Sequence, residues 1–298
     1  TPIPPGNLPK RAPRPKGCVG YSVMHEDISY LVNGEPASQI TVTDRGLQFG
    51  DGLFETIAVL DGKPVWLQRH LDRLSDGCQR LRFSNPPDMQ LLADEAAEFC
   101  ASQQQAVLKI TLTRGSSTGG YTVPKGATPN RIMLLKSAPR HSLEPAETGI
   151  HAGICKQRMA ASTTLAGIKH LNRLEQVLAR MECEGRWQEG IMLDTEGHVI
   201  EGTMSNVFLV RDSVLVTPVL DNAGIRGITR DMIMEIAAGN AIACIERNIS
   251  PEELFEADEL FVCNSLIGIW PVVQIEEHRL NIGDVTRRLQ QKLMEVMC

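Results

Sequence analysis

The sequence predicts an α+β fold of two domains, and three features predict it. Strand-like segments outnumber helical ones and are joined by hairpin turns such as Asn33-Gly34 and Asp61-Gly62, which favours mixed sheets over a doubly wound one. A stretch rich in turn residues at 139–146 separates two structured halves, residues 24–138 and 147–298. At 298 residues the chain is long enough for each half to own a core.

The elements follow in order. Residues 1–23 hold six prolines and four basic residues without apolar periodicity, and read as disordered or as an extension upstream of Met24. Residues 28–32 form a strand closed by the Asn33-Gly34 turn. Gly46, Gly50 and Gly52 then fall within seven residues, reading as a loop where the backbone turns sharply or meets another group closely. A hairpin follows at 56–60 and 64–67. The segment from His70 opens an amphipathic helix with Leu74, Cys78 and Leu81 on one face, and 88–101 is a second helix. Strands at 107–113 and 131–135 close the first half. The second half begins with a strand at 149–155 and a turn at 163–167. From there Leu171, Leu174, Val177, Leu178 and Met181 recur at helical spacing and give one apolar face. A hairpin at 190–193 and 198–200 precedes a strand from Glu201 to Val210. A helix through Ala238, a short helix at 252–257, a strand at 259–264 and an amphipathic helix at 284–297 complete the chain.

Lys169 stands at the junction of the 163–167 turn and the helix after it, beside the apolar Ile168 and Leu171. Desolvation lowers the pKa of a lysine, and a neutral amine is what Schiff-base chemistry needs. Taken alone, the stretch reads first as a lysine snorkelling at a helix start. Gly227-Ile228-Thr229 precedes a helix, where free amides and the dipole hold an anion, although Gly-x-Thr is also an ordinary capping arrangement.

Composition narrows the partners. The formal net charge is −6 and no basic stripe is visible, so a nucleic-acid partner is not expected. No apolar run approaches the roughly 20 residues that cross a bilayer, and no secretory signal is read. The eight cysteines are scattered without a C-x-x-C pair, which points away from zinc and from a disulfide framework and toward free thiols in a reducing cytoplasm.

The run Gly167-Ile168-Lys169-His170-Leu171-Asn172-Arg173-Leu174-Glu175-Gln176-Val177-Leu178 resembles the lysine segment of the aminodeoxychorismate lyases. These are fold-type IV pyridoxal-phosphate (PLP) enzymes, related to the D-amino-acid and branched-chain aminotransferases. The resemblance runs in order from about Tyr30 to about Leu293 and takes in the Asp44 to Glu55 segment and Glu201 to Phe208. It implies a two-domain, D-amino-acid aminotransferase-like fold of mixed sheets with flanking helices, assembled as a homodimer. It implies PLP as cofactor, with Lys169 catalytic and carrying it, and Glu201 beside the pyridine nitrogen. Arg73, the Ile228 and Thr229 amides, the Thr229 hydroxyl and Ser265 would surround the phosphate, with Asn264 as a neighbour.

The implied reaction turns 4-amino-4-deoxychorismate into 4-aminobenzoate and pyruvate for folate synthesis. The alternative is an aminotransferase for D-amino or branched-chain amino acids. The run after Arg114, Ser116-Ser117-Thr118-Gly119-Gly120-Tyr121, lacks the arginine and histidine with which D-amino-acid enzymes hold a carboxylate. Leu174 replaces the tyrosine usual in branched-chain enzymes. One departure points the other way: Glu55 stands where some lyases have threonine and aminotransferases commonly have glutamate.

Overall fold

The computed structural model of the chain describes residues 28–138 and 144–297. The first half runs β1 (Ile28–Val32), β2 (Glu35–Pro36), α1 (Arg45–Phe49), β3 (Gly52–Leu60), β4 (Lys63–Pro64), α2 (Leu67–Arg80), α3 (Met89–Cys100), β5 (Gln105–Thr113) and β6 (Asn130–Ser137). The second half runs α4 (Glu144–Thr148), β7 (Ile150–Met159), α5 (Leu174–Cys183), β8 (Glu189–Asp194), β9 (Val199–Gly202), β10 (Asn206–Arg211), β11 (Val214–Pro218) and α6 (Ile228–Gly239). It ends with β12 (Cys244–Arg247), α7 (Pro251–Phe255), β13 (Glu259–Asn264), β14 (Gly268–Ile275), β15 (His278–Arg279) and α8 (Asp284–Met297).

Two sheets result. The first is antiparallel, in the order β2-β1-β6-β5-β3-β4, with α2 and α3 packed on it. Leu53, Ile57 and Val59 of β3 alternate inward against Leu71, Leu74 and Cys78 of α2, so a period of two meets a period of 3.6 in one core. The second sheet has nine strands, β12-β11-β10-β13-β14-β7-β8-β9, with β15 added to β14. It is mixed: β7 lies parallel to β8 and to β14, and most other neighbours are antiparallel. Parallel neighbours require a crossover, and the one from β7 to β8 carries the Lys169 segment and α5.

Several expectations change. The helix after Lys169 begins at Leu174, because residues 169–171 are first captured by the other sheet. The Phe54 N–H donates to the Lys169 carbonyl at 2.9 Å and the Leu171 N–H to the Gly52 carbonyl at 3.0 Å. A side chain on Gly52 would meet the Leu112 carbonyl at 2.2 Å and Leu171 at 2.7 Å, so close approach is what this glycine permits. The apolar stripe of α5 is not in the core. Leu174, Val177, Leu178 and Met181 are 69, 53, 43 and 65% exposed, while Gln176, Ala179 and Cys183 face inward.

Glu201 closes the β8–β9 hairpin strand instead of opening the next one, which starts at Asn206. The glycine-rich stretch contains the short helix α1, capped by Asp44 and ended by Gly50 at φ 64°. Part of the expected linker, from Glu144, is helical in α4, and residues 139–143 lie outside the described residues. So does the expected extension, residues 1–23. Strands β11, β12 and β14 have no counterpart in the reading from sequence. Helix α8 falls where the sequence places it.

Candidate active site

A cavity of about 820 Å³ opens where the β7–β8 crossover meets β3 of the other sheet. Lys169, Arg73, Glu201, Ile228, Thr229, Asn264 and Ser265, scattered over nearly 200 residues of sequence, all line it.

Lys169 is half-buried, with its Nζ 4.4 Å from the centre of the Phe54 ring. Burial lowers its pKa, the Arg73 guanidinium lowers it further, and Glu55 and Glu201 only partly oppose them, leaving it at about 8.

Glu201 is buried. Its Oε2 accepts the Ile225 N–H at 2.8 Å and its Oε1 accepts Gln176 Nε2 at 3.3 Å. Burial pushes its carboxyl up despite those bonds, so the site favours a cation or a proton on this group. Gln176 Oε1 is itself buried without a partner among the described residues.

Helix α6 starts after Gly227 with no side-chain cap, so its first amides face the cavity unclaimed by any cap. A Cβ on Gly227 would fall 2.1 Å from Asn206 Oδ1, and Asn206 Nδ2 in turn holds the Ile225 carbonyl at 2.8 Å. The loop that carries the helix start is thereby fixed against β10. The Thr229 and Ser265 hydroxyls are 3.5 Å apart. Asn264 joins its own turn to the β9–β10 loop, accepting from the Leu266 and Ile267 amides and donating to the Met204 carbonyl.

Arg73 reaches the cavity from α2. Its Nε and Nη2 donate to the two oxygens of Glu55 at 2.9 and 2.5 Å, and its Nη1 to the Arg226 carbonyl at 2.8 Å. This fork ties the first sheet to the loop before α6. Burial opposes ionisation of Glu55, but Arg73 and the hydrogen bond with His70 Nδ1, at 2.6 Å, outweigh it and hold the carboxyl at about 2. Burial keeps His70 below its ordinary value, so it meets Glu55 as a neutral N–H donor.

Reasoning from sequence did not find the Glu55–His70 pair, although a signal was present. Glu55 interrupts the inward row Leu53, Ile57, Val59 of β3, and His70 lies on the buried face of α2. Gln176 and Arg173 were also missed as cavity residues. His170 accepts a hydrogen bond from Arg173 Nη2, and burial, then Arg173, hold its pKa down at about 4.

An amine, a buried acid and an uncapped helix start share this one cavity. Residues 52–275 match the amino-transferase class IV family, so the chain belongs to that family, whose members are PLP-dependent. Among curated relatives, the aminodeoxychorismate lyase of Vibrio harveyi is 34% identical over 89% of this chain and 99% of its own length. The 4-amino-4-deoxychorismate lyase of Pseudomonas aeruginosa superposes with a TM-score of 0.86 at 44% identity, covering 89% of this chain and 98% of that one. The branched-chain amino acid aminotransferase of Escherichia coli superposes at 0.81 with 28% identity, covering 90 and 94%.

Proposed function

We propose that the chain is a PLP-dependent lyase converting 4-amino-4-deoxychorismate to 4-aminobenzoate and pyruvate in folate synthesis. The observation that carries this reading is the meeting of Lys169, Glu201 and the α6 N-terminus in one cavity, in a chain similar to two such lyases over nearly their whole length.

The residues present fit PLP. Lys169 is an amine brought toward neutrality, Glu201 is a buried carboxyl awaiting a cation, and the uncapped turn of α6 lies beside Arg73 and Ser265. Lys169 would hold the cofactor and Glu201 its ring nitrogen. Arg73, the Ile228 and Thr229 amides, the Thr229 hydroxyl and Ser265 would hold its phosphate, with Asn264 shaping the turn beside them. When bound, PLP supplies an electron sink for negative charge on the substrate carbon.

The protein's own groups move the protons. Lys169 Nζ, neutral when it acts, takes the proton from the amine-bearing ring carbon. The bond from the neighbouring ring carbon to the enol ether oxygen then breaks, the ring becomes aromatic, and the released enol becomes pyruvate. His170 stays uncharged and spends its acceptor on Arg173, so Lys169, carrying the proton it collected, is the acid for the departing group.

Glu55 favours a second reading, an aminotransferase acting on D-amino or branched-chain amino acids. Its carboxylate is committed to Arg73 and His70, which leaves it no role in holding substrate. The test is to add aminodeoxychorismate to the PLP-loaded protein without a 2-oxo acid. Equal amounts of 4-aminobenzoate and pyruvate are expected. No product, together with bleaching of the cofactor absorbance by D-alanine or a branched-chain amino acid, would move the function to amino transfer.

The chain works as a homodimer, a reading supported by the exposed apolar stripe of α5, whose Val177 and Met181 also line the cavity. Its setting is the cytoplasm, in keeping with six described cysteines as free thiols and no described helix long and apolar enough to cross a membrane.

A further inference from the structure

We infer that Arg173 is the residue that binds a carboxylate of the substrate, an inference that rests on the lyase reading. Charge accounting inside the cavity leads to it. Six charged groups line the cavity: Arg73, Lys169, Arg173, Arg180, Glu201 and, exposed at the rim and not among the carboxylates that act on Arg173, Glu184. Arg73 is matched by Glu55, and Arg180 stands 3.7 Å from Glu189. Lys169 and Glu201 are taken up by the cofactor in the proposed arrangement. Arg173 is left, and among the described residues it forms no ion pair.

The carboxylates that act on Arg173 are already engaged. Glu201 holds Ile225 and Gln176, and Glu175 accepts the Ala160 N–H at 3.1 Å. The single hydrogen bond of the Arg173 side chain to a described residue goes to the neutral ring of His170, and its Nε is buried with no partner among the described residues. A guanidinium has five N–H donors in a planar fork suited to a carboxylate, and an unmatched buried cation is costly. Such a group is retained where a ligand completes it. The substrate carries two carboxylates, one on the ring and one on the enol ether side chain, and neither of the other cavity arginines is free to take them.

His170 acts through Arg173. With its ring uncharged, it accepts one N–H and fixes the rotation of the fork without adding a competing charge. Arg173 also sits at the N-terminal boundary of α5, immediately after the residues clamped to β3, so its backbone is placed by the same contacts that place Lys169.

The experiment compares binding of two anions, 4-aminobenzoate and pyruvate, and a neutral analogue, 4-aminobenzamide, to the PLP-loaded wild type and to Arg173→Gln and Arg173→Lys. Binding is read by calorimetry and needs no turnover, so failure of the lyase assay and failure of this assignment are told apart. A charge-assisted bond of this kind is worth roughly tenfold to hundredfold in affinity. The expected result is that Arg173→Gln weakens one of the two anions by that factor, leaves the amide unchanged and keeps the wild-type cofactor absorbance. Arg173→Lys should recover part of the loss. Weakening of 4-aminobenzoate places the ring carboxylate at Arg173, and weakening of pyruvate places the side-chain carboxylate there. Steady-state turnover should show the same loss mainly in KM. If both variants bind both anions as the wild type does, Arg173 is not a carboxylate site and the inference is overturned.

Discussion

Glu55 offers the sharpest test of how the cavity is held together. It is 1% exposed and sits between Arg73 and His70, so replacing it with glutamine removes the carboxylate paired with a largely buried guanidinium. The carboxyl falls from an ordinary 4.5 to about 2 on folding, a difference of about 2.5 units, which corresponds to about 3 kcal/mol of stability. That agrees with the roughly 3–5 kcal/mol lost when one partner of a buried ion pair is removed.

The sign follows from the direction of the shift. A carboxyl whose folded value lies below its unfolded value stabilises fully above about pH 4.5 and loses that contribution as pH falls toward 2. His70, held low by burial, also makes the folded state less favourable as acid charges it in the unfolded chain. The assay is urea unfolding of wild type and Glu55→Gln between pH 7 and pH 3. A gap of about 3 kcal/mol should hold from pH 7 to about 5 and then close. Preference for PLP over pyridoxal should fall in the same variant, because Arg73 is no longer aimed. Equal unfolding midpoints at pH 7, or a gap that does not change with acid, would refute the buried-pair argument.

Three other outcomes follow from the same geometry. Capture of PLP by cofactor-free protein should accelerate with pH and reach half its limit near 8, where the Lys169 amine loses its proton, and Lys169→Ala should give neither the bound-cofactor absorbance nor product. A flat profile from pH 7 to 9 contradicts the lowered pKa. Glu201→Gln keeps an acceptor for Ile225 but no charge for the ring nitrogen, so kcat should drop about 100-fold or more while the fold is retained, as judged by thermal unfolding. Leu178→Asp combined with Met181→Asp puts two charges on the α5 stripe. Under the proposed dimer, sedimentation should show monomers for the variant and dimers for the wild type, since each apolar side chain buried there is worth about 1.5–3 kcal/mol. A variant sedimenting like the wild type would place the subunit contact elsewhere.

The sequence by itself determined the class of fold and named seven of the residues that line the cavity. Local signals sufficed where an element is fixed by its own residues: the β13 strand, the closing helix α8, the Gly227 boundary of α6, and the Asn33-Gly34 hairpin all fall where they were read. The order of motifs around Lys169, Glu201 and Arg73 did the rest through resemblance. Tertiary structure alone decided how these pieces are connected. Lys169 lies on an extended segment bridged to β3 because backbone bonds from a sheet more than 100 residues away outcompete the helical pattern that follows it. The α5 stripe reads as one apolar face by periodicity, and it faces outward, since periodicity gives a face and not what covers it. Glu55 and Arg73 are 18 residues apart on different elements, and Arg173 and His170 are ordinary neighbours in sequence. Whether such charges are matched or left for a ligand depends on burial and distance, which only the folded chain sets.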